Sequence, residues 1–292
     1  MTKRPFFKYV FLMLAVVCSL GISGQQPVVY TSADKETFDQ YVEYIMSYRN
    51  QPLNEVIIAS GEFFLDKPYI AHTLEKEPEQ LVVNLNELDC TTFVETVLAL
   101  SRTVRSGDIT FENFQKELQQ IRYRGGLIGD YTSRLHYMTE WIADNEEAGI
   151  VSDITQQIGG VPLNVNLYFM SAHPQSYKQL ADPLLVEKMR IIEERINRNA
   201  QPYYITKGQA MRCLDKLQDG DIVLFTTSIG GLDVTHVGFI YKDGYETTFM
   251  HASTGAKKVV INEIPLVDYM LRIKSNTGMI ILRPVENGNL FN

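Results

Sequence analysis

Asn84-Leu-Asn-Glu-Leu-Asp-Cys90-Thr-Thr-Phe-Val-Glu-Thr-Val-Leu-Ala-Leu100-Ser-Arg-Thr-Val104 is the stretch on which the fold turns. Phe93, Val94, Val97, Leu98 and Leu100 recur at the spacing of one buried helical face. Asp89 stands where an N-cap belongs, with Thr91 and Thr92 in the first turn, so Cys90 falls at the helix start. A cysteine there meets unpaired backbone N–H groups and the positive end of the helix dipole. Both favour thiolate, and such sites hold pKa values about one to five units below a free thiol. The same N–H groups can stabilise an oxyanion formed when sulfur attacks a carbonyl. A purely structural cysteine gains nothing from this location, which predicts a nucleophile. Its rivals are a disulfide to Cys213 and a zinc site shared with histidines, though the chain has no HExxH and no close Cys pair. Cys213 falls at helical spacing with Ala210, Leu214 and Leu217, a core-facing position just before the turn Gln218-Asp-Gly220.

A cysteine nucleophile needs an imidazole, and the chain offers five histidines. His72 reads as a loop or short-strand residue. His173 precedes Pro174 and reads as a turn residue, and His136 stands near the start of a helix carrying Tyr137, Trp141 and Ile142. His236 and His251 differ because both lie in a run of strands. Asp221 to Thr226, Val234 to Tyr241, Glu246 to Ala252 and Lys257 to Ile261, separated by turns, predict an antiparallel meander, and Met279 to Arg283 a closing strand. The two histidines then occupy adjacent strands of one hairpin, within cross-strand reach. Gly238, on the His236 face, predicts the close approach of another element such as a helix end.

The remainder of the chain bounds these readings. Its 292 residues carry a formal charge of −8, with 45% hydrophobic and 21% charged residues. That is an ordinary globular composition, and its sign is wrong for a nucleic-acid binder. Lys3, Arg4 and Lys8, the apolar run Val10 to Leu20 and the exit Gly21-Ile-Ser-Gly24 predict a signal peptide over 1–24. No second long apolar segment follows, so the expected product is exported, periplasmic or secreted, and not inserted in a membrane. Residues 25–292 read as one α+β domain. A helical N-terminal segment spans 30–70, with Phe38, Tyr41, Val42, Ile45 and Met46 on one stripe and Pro52 opening a second helix. Between the cysteine and the histidines, helix-like stretches at Thr110–Ile121, His136–Glu147 and Ser176–Asn199 predict a helical insertion over about 105–205.

Leu88-Asp-Cys-Thr-Thr-Phe-Val-Glu95, followed far downstream by Thr235-His-Val-Gly238 and His251-Ala-Ser253, resembles the NlpC-type papain-like cysteine hydrolases. More narrowly, it is similar to their N-acetylmuramoyl-L-alanine amidase-like branch. Ile121-Arg-Tyr-Arg-Gly125, Ser133-Arg-Leu-His-Tyr137 with Glu140-Trp-Ile142, and Gly231-Leu-Asp233 support the likeness, which runs from about Tyr30 nearly to the C-terminus. The resemblance implies a papain-like core with the cysteine helix packed on an antiparallel sheet. It implies Cys90 as nucleophile, His236 as general base and His251 as the residue orienting the imidazole, with no cofactor and no metal. Its implied substrate is the amide between N-acetylmuramic acid and L-alanine in peptidoglycan fragments. Arg122, Arg124, Arg134 and His136 are candidate substrate-binding residues. An arginine fork suits carboxylates, although an internal ion pair or a solvated face is the plainer reading of the three arginines. Trp141 reads as packing. The alternatives are a stem-peptide endopeptidase of the same superfamily and a noncatalytic or zinc-stabilised wall-binding module.

Overall fold

The computed structural model describes residues 28–244 and 246–286, so the expected signal peptide lies outside the described residues. Helices α1 (Ser32–Ile45), α2 (Leu53–Phe63), α3 (Cys90–Ser106) and α4 (Phe111–Arg122) come first. Then follow α5 (Met138–Glu147), strands β1 (Val151–Asp153) and β2 (Val161–Pro162), α6 (Phe169–Ala172), α7 (Pro183–Asn199) and β3 (Tyr203–Thr206). The last third supplies β4 (Ile222–Thr227), β5 (Val234–Asp243), β6 (Glu246–Ser253), β7 (Lys258–Ile261), α8 (Leu266–Arg272) and β8 (Asn276–Pro284). Among the described residues no helix is long and apolar enough to cross a membrane.

The strands form one antiparallel sheet in the order β2-β3-β8-β4-β5-β6-β7, with β1 also pairing to β8. Alternation along the strands divides the core. Leu224, Val237, Phe239, Met250, Ala252 and Ile280 face α1 to α4, where the Phe93 and Phe239 rings meet edge-on at 5.9 Å. Val223, Phe225, Ile240, Phe249 and Ile281 face the other way, under α8 and the segment around Cys213. The chain is thus a mixed α/β molecule built on an antiparallel sheet.

Three expectations shift. The helix over Ser176–Asn199 is interrupted by two 3-10 turns and starts at Pro183, because proline fits a helix start and Asp182 caps it through the Leu184 amide at 2.9 Å. Gly238 makes room for the neighbouring strand and not for a helix end: a Cβ there would lie 2.6 Å from the Met250 carbonyl oxygen. The stretch read as an insertion divides. Phe111, Phe114, Leu118 and Ile121 of α4 pack in the main core. Downstream, Tyr131, Tyr137, Leu167, Met170, Leu180, Met189 and Ile196 gather into a small core of their own.

Candidate active site

Asp89 caps α3 reciprocally. Its carboxylate accepts from the Thr92 amide at 2.8 Å, while the Asp89 amide donates to the Thr92 hydroxyl at 2.8 Å. Cys90 is therefore the first residue of the helix, and the amides of Cys90 and Thr91 have no acceptor within the helix. The Cys90 sulfur faces the amide of Val237, next after His236, and the amide and hydroxyl of Thr91. Cys90 and His236 line one cavity of about 160 Å³, with Thr91, His136, Tyr137, Met138, Met170 and Asp233 among its walls. A β-bulge accompanies this placement: Phe225 pairs with His236 but Thr226 with Val234, which leaves Thr235 without a partner beside the histidine.

His236 Nε2 lies 2.5 Å from His251 Nδ1. Its other nitrogen, Nδ1, is left outside this contact. The His236 ring is surrounded by Phe225, Phe249 and Tyr269, with centroids 6.1, 6.2 and 6.2 Å away. This apolar setting decides the protonation states. Burial pulls His236 down to about 4, and burial together with neighbouring His236 pulls His251 down to about 3. Burial and the Asp89 carboxylate push the Cys90 thiol up to about 12, against the lowering pull of the Val237 and Thr91 donors. These shifts run against the expected thiolate: burial and the Asp89 carboxylate favour the neutral thiol, and burial favours the neutral imidazole.

Cys213 is buried, its sulfur donates to the Ala210 carbonyl at 3.1 Å, and both it and Cys90 are free thiols. Its surroundings are two successive 3-10 turns, not the helix that its spacing predicts. Among the described residues no group of three or more His, Cys, Asp or Glu side chains is placed to hold a metal ion.

Of the four expected substrate-binding residues, His136 lines the cavity. Its Nε2 lies 2.8 Å from the Tyr131 carbonyl oxygen and must donate to it, so Nδ1 remains as an acceptor. Burial, with Arg134 nearby, pulls its pKa down to about 3 and keeps the ring neutral. The three arginines go elsewhere. Arg122 is buried, with Nε 2.6 Å from Glu95 and Nη1 donating to the Val82 carbonyl. Arg124 forks onto Glu140 at 2.7 and 2.9 Å beside a different cavity of about 420 Å³. Arg134 is buried between Glu79 and Glu75, with its guanidinium 4.7 Å from the Tyr131 ring centre. These placements favour the plainer reading, internal ion pairs. Trp141 is buried against the main core, as its spacing predicts.

Residues 59–279 match the family described as AmiA-like, N-acetylmuramoyl-L-alanine amidase-like. The chain belongs to this family. A crystal structure described as an N-acetylmuramoyl-L-alanine amidase from Bacteroides uniformis is 39% identical, with a TM-score of 0.76 over 80% of this chain and 99% of that one. A Bacteroides fragilis protein with the provisional name of a xylanase is 37% identical, with a TM-score of 0.74 over 77% and 99%. A Legionella pneumophila protein of the DUF1460 family shares the fold at 22% identity and TM-score 0.66, over 87% and 94%. No match was found among curated proteins.

Sequence reasoning did not single out two residues that adjoin the candidate site. Asp233 is buried on the cavity wall, and its carboxylate accepts from the Thr139 amide at 2.7 Å and the Val234 amide at 2.8 Å. It therefore caps α5 from the loop leading into β5, joining the His136 wall to the His236 strand. Burial pushes its carboxyl pKa up, and those amide donors pull it back. The second, Asn262, stands beside His251. The motif Gly231-Leu-Asp233 pointed at the first, and no local signal points at the second.

Proposed function

We propose that the chain hydrolyses the amide joining the lactyl group of N-acetylmuramic acid to L-alanine in peptidoglycan fragments, through a thioester on Cys90. Supporting this reading is one placement above all: the helix-start sulfur facing the amide next to His236 within a shared cavity. We read the arrangement as an NlpC-type papain-like core with His251 as the third member, a reading that the contact between His236 and His251 supports.

In the first step Cys90 sulfur bonds to the lactyl carbonyl carbon while its proton passes to His236 Nδ1. Because thiol and imidazole are both neutral at rest, attack and proton transfer are coupled. The oxyanion forms beside the unpaired amides at the start of α3, donors typically worth about 10²–10³ in rate each. The C–N bond then breaks, and His236 returns its proton to the departing L-alanine nitrogen. Water, deprotonated by His236, adds to the thioester and releases the lactyl carboxylate with the thiol restored. His136 Nδ1 offers an acceptor to a substrate N–H or O–H in the same cavity. Glycoside hydrolysis is not favoured, because it needs two carboxylates about 5–10 Å apart. Asp233 is the one acidic side chain among the described residues lining this cavity, and backbone amides engage both its oxygens. The substrate's location fits an exported protein, as the segment 1–24 predicts.

The test is mass analysis of purified muropeptides after digestion by the parent and by Cys90→Ala. The parent releases peptide with a free L-alanine amine and an intact sugar, and Cys90→Ala loses about 10⁴-fold or more. Cuts confined to the stem peptide, or undiminished turnover by the variant, would refute the assignment.

A further inference from the structure

We propose that Asn262 is a positioning residue that fixes which nitrogen of His251 and of His236 carries the proton, and so keeps His236 able to accept from the thiol. This rests on His236 acting as base toward Cys90.

One proton occupies the 2.5 Å gap between His236 Nε2 and His251 Nδ1, and it can belong to either ring. If His236 owns it, His236 Nδ1 is a lone pair and serves as base. If His251 owns it, His236 Nδ1 carries a hydrogen and the base is disabled. The choice is made at the far nitrogen of His251. That Nε2 is buried without a partner in direct hydrogen-bonding geometry, and Asn262, two positions beyond Val260, the strand partner of His251, lies on the same sheet face beside it. Asn262 follows β7, in which Val260 pairs with His251 and Ile261 with Met250.

The turn holding Asn262 is pinned through its backbone and its side-chain nitrogen. Its amide donates to the Phe249 carbonyl at 2.9 Å. Its Nδ2 donates to the Ile264 carbonyl at 2.7 Å, and the Thr248 hydroxyl donates to the carbonyls of Asn262 and Ile264 at 2.8 and 3.0 Å. Flipping the carboxamide would set Oδ1 against the Ile264 carbonyl, two acceptors facing each other. Oδ1 is therefore the atom offered to His251, as the network assigns it. An acceptor there selects the Nε2–H tautomer of His251, whose Nδ1 must then accept from His236 Nε2–H. The titratable groups facing His251 are His236 from β5 and Tyr269 from α8, with ring centroids 4.7 and 5.9 Å away. Burial pushes the Tyr269 hydroxyl up to about 12, and neighbouring Cys90 adds to the rise.

Two variants separate tautomer selection from bracing of the turn. Asn262→Ala removes both the acceptor and the bond to Ile264. Asn262→Asp loses the bond but keeps an acceptor. Imidazole nitrogen NMR on the substrate-free protein reads the tautomers directly, so it stands even if the bond cleaved is another one. We expect both rings protonated at Nε2 in the parent and in Asn262→Asp, and mixed in Asn262→Ala. Turnover on muropeptide, or alkylation of Cys90 where turnover is absent, falls about tenfold or more in Asn262→Ala with KM unchanged, and returns to within a few-fold in Asn262→Asp. Parent-like tautomers in Asn262→Ala, or equal losses in the two variants, would overturn the proposal.

Discussion

At the residue scale the site is a problem of desolvation. His236 takes up a proton only when neutral, and its pKa is lowered by burial to about 4. A depressed base pKa keeps the competent form populated down to that value. The acid limb of kcat/KM is therefore expected near pH 4 and not near the ordinary 6.5, with a level profile between about pH 5 and 9. Because the Cys90 thiol is pushed up to about 12, no thiol ionisation interrupts that plateau, and iodoacetamide modification of the free protein keeps accelerating with pH across the same range. A kcat/KM midpoint between pH 6 and 7 would mean that His236 titrates as a solvated imidazole, and alkylation that stays level with pH across that range would mean that a thiolate–imidazolium pair forms at rest.

At the element scale, α3 is held to α4 by the ion pair of Arg122 and Glu95, with both side chains almost fully withdrawn from water. Burial pushes the Glu95 carboxyl up and Arg122 pulls it back down. Removing one member of such a pair strands the other charge. Arg122→Ala is expected to lower the unfolding free energy by about 3–5 kcal/mol, read from urea melts, with KM unchanged. A stable variant with a raised KM would return Arg122 to the substrate. The element boundaries themselves were legible wherever a local device sets them. The reciprocal cap at Asp89 fixes the start of α3, and the strand alternation from Asp221 onward matches β4 to β8. The expected start of α5 at His136 lies two residues early, because the group that caps it, Asp233, is remote in sequence.

Across the whole molecule, the segment between α4 and β3 builds one wall of the cavity. Tyr137 ties it together: its hydroxyl donates to Glu193 of α7 at 2.7 Å and accepts from the Met170 amide at 2.9 Å. Asp233 joins that wall to the sheet. Asp233→Ala is expected to lower stability by about 1–2 kcal/mol through loss of the cap, and kcat/KM by about tenfold through misplacement of the His136 wall. Thermal melts and muropeptide kinetics on one preparation check both, and unchanged kinetics in a destabilised variant would limit Asp233 to bracing. By itself the sequence determined the cysteine at a capped helix start, the antiparallel meander and the two histidines on neighbouring strands. Each of these is written in residues close together along the chain, as a cap, a period or a turn. The tertiary structure alone decided that burial and Asp89 favour the protonated thiol, that Arg122, Arg124 and Arg134 are taken up by internal carboxylates, and that Asn262 stands beside His251. Those outcomes depend on which distant groups exclude water and supply opposing charge, and that is settled only when the sheet, the helices and the intervening wall close over the site.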